Sequence, residues 1–208
     1  LYEWGLAKLQ NAGIDEAALD ARLLLEYVCD TDRNTLLVHG DRPVSEEEQS
    51  RYEEYIGKRE SHVPLQYITG EQEFMGLPFK VSPAVLIPRQ DTETLVEEAL
   101  KVVKPGMKVM DMCTGSGCIL ISILKNVTGL EGHGFDISKQ ALIVAKENAK
   151  LNNLHNCEFI AGDVLKVLDS IEEKPEYIIL DPPRDGIHPK ALEKIIDYGV
   201  DRLIYVSC

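Results

Sequence analysis

The sequence predicts an α/β protein: an open, doubly wound, mainly parallel sheet preceded by a small all-helical domain and a linking β-hairpin. Three observations carry this reading. From Pro105 onward short apolar strands alternate with amphipathic helices, which implies βαβ crossovers and a sheet covered on both faces. A glycine-rich turn, Gly115-Ser-Gly117, joins the first of those strands to its helix. Before residue 60 the apolar side chains recur only at three- and four-residue steps, the period of helices that bury one face.

Taken in order, residues 1–62 form the helical domain. Leu6 and Leu9, then Leu19, Leu23 and Leu24, mark its inward faces. Ser45-Glu-Glu-Glu48 has the pattern of a capping box, in which the hydroxyl and the Glu48 carboxylate each satisfy an orphan backbone N–H. It starts a helix running to about Arg59 with Tyr52 and Ile56 facing inward. A module this small has a thin core and leans on a partner or a second domain. Residues 63–86 form the linker. Gln66–Gly70 and Glu73–Val81 mix aromatic and β-branched residues with glycine, which predicts a hairpin turning at Met75-Gly76 with Pro78 confined to an edge.

The third region, 87–208, opens with a helix capped by Asp91 or Thr92 and carrying Leu95, Val96, Ala99 and Leu100 on one face. Strands follow at 108–112, 131–135, 157–160, 176–180 and 202–206, with helices at 117–125, 138–151 and 189–198. Sheets of this kind usually have about seven strands. Five are read here, so the last two strands of the far edge are expected to be lacking. The apolar strand 203–206 would then be an unpaired edge that promotes self-association.

Composition bounds the function. With 208 residues, 44% hydrophobic and 27% charged, the chain resembles ordinary globular proteins. No apolar run approaches the ~18 residues of a membrane span, and no basic start followed by an apolar stretch suggests a secretion signal. The net charge of −13 weighs against phosphate backbones, though a local basic patch could overcome it. Five cysteines (29, 113, 118, 157 and 208) show neither CxxC pairing nor metal-ligand spacing, so free thiols, no metal and a cytoplasmic location are expected.

The chemistry concentrates at the ends of the strands. Asp111 closes the first strand just before the glycine turn, where bare backbone can approach a ligand. Asp136 ends the next strand, about 20 residues past the glycines, the place of a ribose-binding carboxylate in dinucleotide folds. Asp163 follows the third strand and can accept from an adenine amino group. Three acidic strand ends along one rim would repel a pyrophosphate at Asp111 but suit a cation. S-adenosylmethionine carries an ammonium and a sulfonium and no phosphate; NAD is the main competitor.

Leu65–Gly70, Glu73-Phe-Met-Gly76, Phe79-Lys-Val81, Leu86-Ile-Pro-Arg89-x-Asp-Thr-Glu93 and Asp111-Met-Cys-Thr-Gly-Ser-Gly-Cys-Ile119 closely resemble the protein-(glutamine-N5) methyltransferases that modify peptide-chain release factors. The helical module, with Ala12-Gly-Ile14 and Leu19–Leu25, fits the same family, so the resemblance runs from residue 1 to about 165. It implies a class I S-adenosylmethionine-dependent methyltransferase of Rossmann-like fold, a helical substrate-recognition domain and transfer to a glutamine amide. The cofactor residues it implies are Asp111, Thr114, Gly115, Gly117, Asp136, Ile137, Asp163, Val164 and Asp181. The family places Asn-Pro-Pro-Tyr after the fourth strand to orient the amide nitrogen, a positioning effect. This chain has Asp181-Pro182-Pro183-Arg184 instead. Asp181 can still accept amide hydrogens, while Arg184 does not reproduce the tyrosine contact.

The tail is similar to a different family. Asp181-Pro-Pro-Arg-Asp-Gly186, Pro189-Lys-Ala-Leu192 and Tyr205-Val-Ser-Cys208 resemble RNA (uracil-C5) methyltransferases, in which a cysteine attacks the uracil ring. That resemblance makes Cys208 a candidate nucleophile and RNA a candidate partner, although a terminal cysteine lacks surroundings that would lower its pKa. The two resemblances together suggest a chimera or mosaic, and a catalytically inactive cofactor-binding chimera is the third reading. Cys113 and Cys118 read as small buried residues, His188 as a solvated loop residue, and Glu46–Glu48 and Glu97-Glu98 as solvated helix faces. Arg89 is expected either to anchor a carboxylate of the helical module or to approach the methionine carboxylate.

Overall fold

A computed structural model describes residues 1–171, 174–182, 186 and 189–206. The chain separates into two compact units, Leu1–Gly70 and Glu71–Cys208. The first holds α1 (Tyr2–Asn11), α2 (Ala17–Val28), α3 (Arg33–Val38), α4 (Glu46–Glu60) and α5 (Leu65–Thr69). Leu9, Leu24, Tyr52 and Ile56 are fully buried in its core, whereas Leu19, expected on an inward face, is exposed. The Tyr52 hydroxyl, buried with its ring, donates to the Ala21 carbonyl at 3.0 Å, so burial leaves no orphan donor. Asp20 is buried too, and its charge is matched by Arg59 at 2.7 Å. The capping box forms in full: Glu48 N–H donates to Ser45 Oγ at 3.1 Å, and Ser45 N–H to Glu48 Oε2 at 2.7 Å.

The expected hairpin start at Gln66 is a helix instead. Residues 65–69 form α5, which Pro64 initiates and Gly70, at φ +78°, ends in the left-handed conformation. Ile68 thereby joins the helical core, a gain that outweighs the β-propensity of Tyr67 and Ile68. The boundary therefore falls at Gly70 and not at residue 62. The hairpin that follows packs into the second unit and is not a free linker.

That hairpin is β1 (Glu71–Phe74) and β2 (Leu77–Lys80), antiparallel and turning at Met75-Gly76 as expected. Phe74 and Phe79 meet edge to face at 6.1 Å and bury in the same core as α6 (Gln90–Leu100). Arg89, in extended conformation, is the N-cap of α6, so Asp91 and Thr92 lie inside the first turn and do not cap it. Next come β3 (Lys108–Met112), α7 (Cys118–Asn126), β4 (Glu131–Asp136), α8 (Lys139–Leu151), β5 (Cys157–Ala161), α9 (Val164–Ser170), β6 (Tyr177–Leu180), α10 (Pro189–Tyr198) and β7 (Arg202–Tyr205).

The sheet order is β5-β4-β3-β6-β7 and every pairing is parallel. Strand periodicity sorts the core into two layers. Val109, Tyr177 and Ile179 face α6, α7 and α8, while Met110, Met112, Ile178 and Leu180 face α9 and α10. The α9 helix is absent from the sequence reading, although Val164, Val167, Leu168 and Ile171 carry its i, i+3, i+4, i+7 signature. At the far edge, β7 pairs only with β6 among the described residues.

Candidate functional site

Parallel strands put all their carboxyl ends on one rim. From β3 the chain winds outward through β4 and β5, then returns to β6 on the other side of β3. This reversal leaves a crevice at the ends of β3 and β6, the position where doubly wound sheets bind ligands. A cleft of about 1450 Å³ lies there. Its wall includes Thr114, Gly115, Asp136, Ile137, Asp163, Asp181 and Pro182, together with the segment Ala84–Arg89 that precedes α6.

The turn between β3 and α7 is built for close approach. Cys113 stands at φ +67°, a conformation that costs a residue with a β-carbon about 1–2 kcal/mol and is concentrated at functional turns. Gly117, at φ +80°, begins α7 in the left-handed conformation, and a β-carbon there would lie 3.0 Å from Ile121 and 3.3 Å from Ala145. Gly115 behaves differently: a β-carbon there would meet only the Cys113 carbonyl oxygen, at 4.0 Å, so its bare backbone faces open space in the cleft. Thr114 N–H donates to the Phe135 carbonyl at 2.9 Å and ties the turn to β4.

The carboxylates take distinct places. Asp136 accepts from Gly115 N–H at 2.9 Å through Oδ2 and from Ser138 N–H at 2.8 Å through Oδ1. Each oxygen has capacity for one further hydrogen bond, and Asp136 lines the cleft together with Ile137, an isoleucine left 78% exposed. Asp163 lies on the same wall, exposed, and its carbonyl accepts the first N–H bonds of α9. Asp111 is fully buried beneath the turn, where the Thr114 hydroxyl donates to its Oδ2 at 2.6 Å. Oδ1 of Asp111 has no hydrogen bond of ordinary geometry among the described residues, and the Leu120 backbone N–H acts on the carboxylate. Desolvation, opposed by that hydroxyl and reinforced by Asp181 and Asp136, pushes its pKa up to about 7. Burial likewise raises Asp181, and the charge of the Arg89 guanidinium pulls in the opposite direction.

Gly117 sits behind the cleft wall with Asp111, Val164 starts α9, and Pro183 and Cys208 lie outside the described residues. Cys113 and Cys118 are free thiols pushed up by burial to about 12, so neither is an activated nucleophile. Two contributors escaped the sequence reading. Ser138 helps hold Asp136, and its position two residues on from an acidic strand end was the available signal. Glu93 accepts from the Met75 N–H at 2.6 Å and braces the hairpin turn, a contact 18 residues apart that no local pattern foretells.

These donors and acceptors fit a cationic nucleoside. A buried carboxylate with one oxygen lacking a hydrogen bond of ordinary geometry, flanked by two more carboxylates, stabilises positive charge and opposes phosphate. Asp136 keeps acceptor capacity for ribose hydroxyls.

Residues 1–70 match the PrmC N-terminal domain, and residues 103–199 match a methyltransferase domain. A release factor glutamine methyltransferase from Aliivibrio fischeri is 37% identical over 195 residues, covering 93% of this chain and 68% of its own length. The chain belongs to that family. It spans between 52% and 66% of the length of six other relatives of the same name. An uncharacterized RNA methyltransferase from Clostridium tetani is 39% identical over 146 residues, 66% of this chain and 30% of that protein. Among solved structures, the tRNA (uracil-54, C5)-methyltransferase of Pyrococcus abyssi, in complex with S-adenosyl-L-homocysteine, superposes with a TM-score of 0.55 at 25% identity. It covers 66% of this chain and 34% of that chain. The fold is that of a class I methyltransferase, and the helical unit at the amino end is the part that matches the PrmC N-terminal domain.

Proposed function

We propose that this chain binds S-adenosylmethionine and transfers its methyl group to the side-chain amide nitrogen of a glutamine in a peptide-chain release factor. The observation that carries the reading is the convergence of Gly115, Asp136, Asp181 and Pro182 on one cleft, in a chain whose family acts on that substrate. The cofactor supplies an electrophilic methyl group on a sulfonium. The chain's own residues bind and orient. Asp136 holds ribose hydroxyls, Ile137 packs on the base, Asp163 accepts from the adenine amino group, and the Asp111–Asp181 floor attracts the cationic end. Asp181 and the Pro182 carbonyl accept the two amide hydrogens of the glutamine and aim its nitrogen, whose delocalised lone pair makes positioning the chief effect. Residues 1–70 recognise the protein substrate.

One observation favours a second reading. The Clostridium tetani relative and the Pyrococcus abyssi structure bear names of RNA methyltransferases, so transfer to uracil C5 through Cys208 is the rival. A radiolabelled methyl donor presented with a release-factor fragment, and separately with uridine-containing RNA, decides between them. Label on glutamine is expected; label on RNA alone overturns the proposal, and uptake of donor without transfer to either marks a binding-only mosaic. No helix among the described residues is long and apolar enough to cross a membrane; a cytoplasmic location is part of the same proposal, since that is where a release-factor substrate would be met. The β7 edge, with Leu203 and Ile204 half-buried and Tyr205 exposed, supports self-association. Light scattering showing a clean monomer at high concentration counts against that part.

A further inference from the structure

Two asparagines one helical turn apart on α8 close the open edge of β2. In an antiparallel pair, alternate residues turn their backbone groups away from the partner strand. Along β2 those residues are Pro78 and Lys80. The Asn152 amide donates to the Pro78 carbonyl at 2.9 Å. The Asn148 oxygen accepts from Lys80 N–H at 2.7 Å, and its amide nitrogen donates to the Lys80 carbonyl at 3.0 Å. Both asparagines are buried, Asn148 completely.

Beyond the strand edge the two part company. The Asn152 amide also donates to the Asn148 carbonyl at 3.0 Å, within its own helix. The Asn148 amide instead reaches the Ser116 carbonyl at 2.9 Å, inside the glycine turn. The Ser116–Gly117 peptide is thereby held from both sides, because Gly117 N–H donates to the Thr114 carbonyl at 2.8 Å. Glycine accepts either sign of φ, so nothing in Gly117 itself fixes that peptide plane at its observed φ of +80°. The hydrogen bond from Asn148 does.

We propose that Asn148 is a positioning residue for the methyl donor: it fixes the glycine turn to the hairpin edge, so that order in the hairpin and affinity at the turn are energetically coupled. The proposal rests on the cofactor reading given above. On one side of the link, Ser116 lines the cleft and Gly115 N–H donates to Asp136, the carboxylate assigned to ribose. On the other, Lys80 leads through buried Val81 into a turn closed by Val85 N–H on the Ser82 carbonyl at 3.0 Å. That turn begins the cleft wall formed by Ala84–Arg89. One buried amide therefore sets the spacing between two parts of the cleft wall. The Lys80–Glu147 ion pair at 3.3 Å also joins β2 to α8, but both side chains are more than half exposed, so it adds little. Coupling of this kind is reciprocal: whatever the hairpin contributes to donor affinity, donor binding returns to the hairpin.

Asn152 supplies the control, since it joins the same helix to the same strand without touching the turn. Calorimetry with S-adenosylhomocysteine, alongside the melting temperature, compares the natural chain with Asn148→Ala and Asn152→Ala. Both variants should melt lower. Asn148→Ala should bind about tenfold more weakly, and Asn152→Ala within about twofold of the natural chain. Amide exchange gives a second readout that needs no variant, so the test stands even if Asn148→Ala does not fold. Glu131 N–H, bonded to the Met107 carbonyl at the end of β4 remote from the cleft, reports overall stabilisation by the ligand. S-adenosylhomocysteine should slow exchange at Lys80 N–H by a larger factor than at Glu131. Equal affinity losses in the two variants, or equal slowing at Lys80 and Glu131, overturns the proposal while leaving the cofactor reading intact. No uptake of S-adenosylhomocysteine by the natural chain overturns the cofactor reading and the coupling together.

Discussion

Asp111 shows how a single burial decision sets a functional property. Its carboxyl is sealed under a turn, and its pKa rises from the ordinary 3.8 to about 7. A raised acid pKa favours folding below the unfolded-state value and loses that contribution as pH rises through the folded one. The unfolded chain releases this proton near pH 4 while the folded chain keeps it, so this group's contribution falls between about pH 4 and 7. Asp111→Asn, always neutral, should be the more stable protein at pH 8, by roughly 2–4 kcal/mol at most. Urea unfolding of both proteins across that range checks it; a gap that does not widen toward neutral pH removes the argument. The same variant should bind a cationic nucleoside less well, because the charge called up by the ligand is gone. At Asp136 the expectation is simpler. Asp136→Ala deletes charge-assisted acceptors worth roughly 1.5–3 kcal/mol, so calorimetry should show S-adenosylmethionine affinity reduced tenfold or more. Unchanged affinity would remove Asp136 from the site.

At the scale of elements, polar side chains do the joining. Asn148 of α8 accepts from Lys80 N–H at 2.7 Å and donates to the carbonyls of Lys80 at 3.0 Å and Ser116 at 2.9 Å. One buried amide thus holds the hairpin, the helix and the glycine turn in register. Asn148→Ala leaves those backbone groups unpaired, at about 1–3 kcal/mol each where they are buried. It should lower the melting temperature and also weaken cofactor binding through the loosened turn; stability loss without any loss of affinity would separate the latch from the site. The elements themselves were largely legible in the sequence. The capping box at Ser45 and the glycine turn are local chemistry, and local chemistry can be read from neighbours in the chain. Helix α5 was not legible because Tyr67 and Ile68 favour strand by propensity, and only the helical core that receives Ile68 decides otherwise. The contacts of Asn148 with Lys80, 68 residues apart, leave no local trace at all.

For the whole molecule, each of the two units carries its own core. Residues 1–70 bury Leu9, Leu24, Tyr52 and Ile56 in a cluster drawn wholly from those residues. A core of this size supplies only about 3–5 kcal/mol, so an isolated fragment of residues 1–70 should fold into helices and melt cooperatively at a modest temperature. Circular dichroism of that fragment checks the expectation, and a non-cooperative or featureless trace would count against it. The sequence by itself determined the order of strands and helices, the glycine turn, the acidic strand ends and the membership in a methyltransferase family. All of these rest on residue type and short spacing, which the chain displays directly. Tertiary structure alone decided which carboxylate is sealed, which is held by backbone N–H groups and which lies half-buried in the cleft. Burial and long-range pairing set those differences, and three aspartates that look alike as letters become three different chemical groups once the sheet has closed around them.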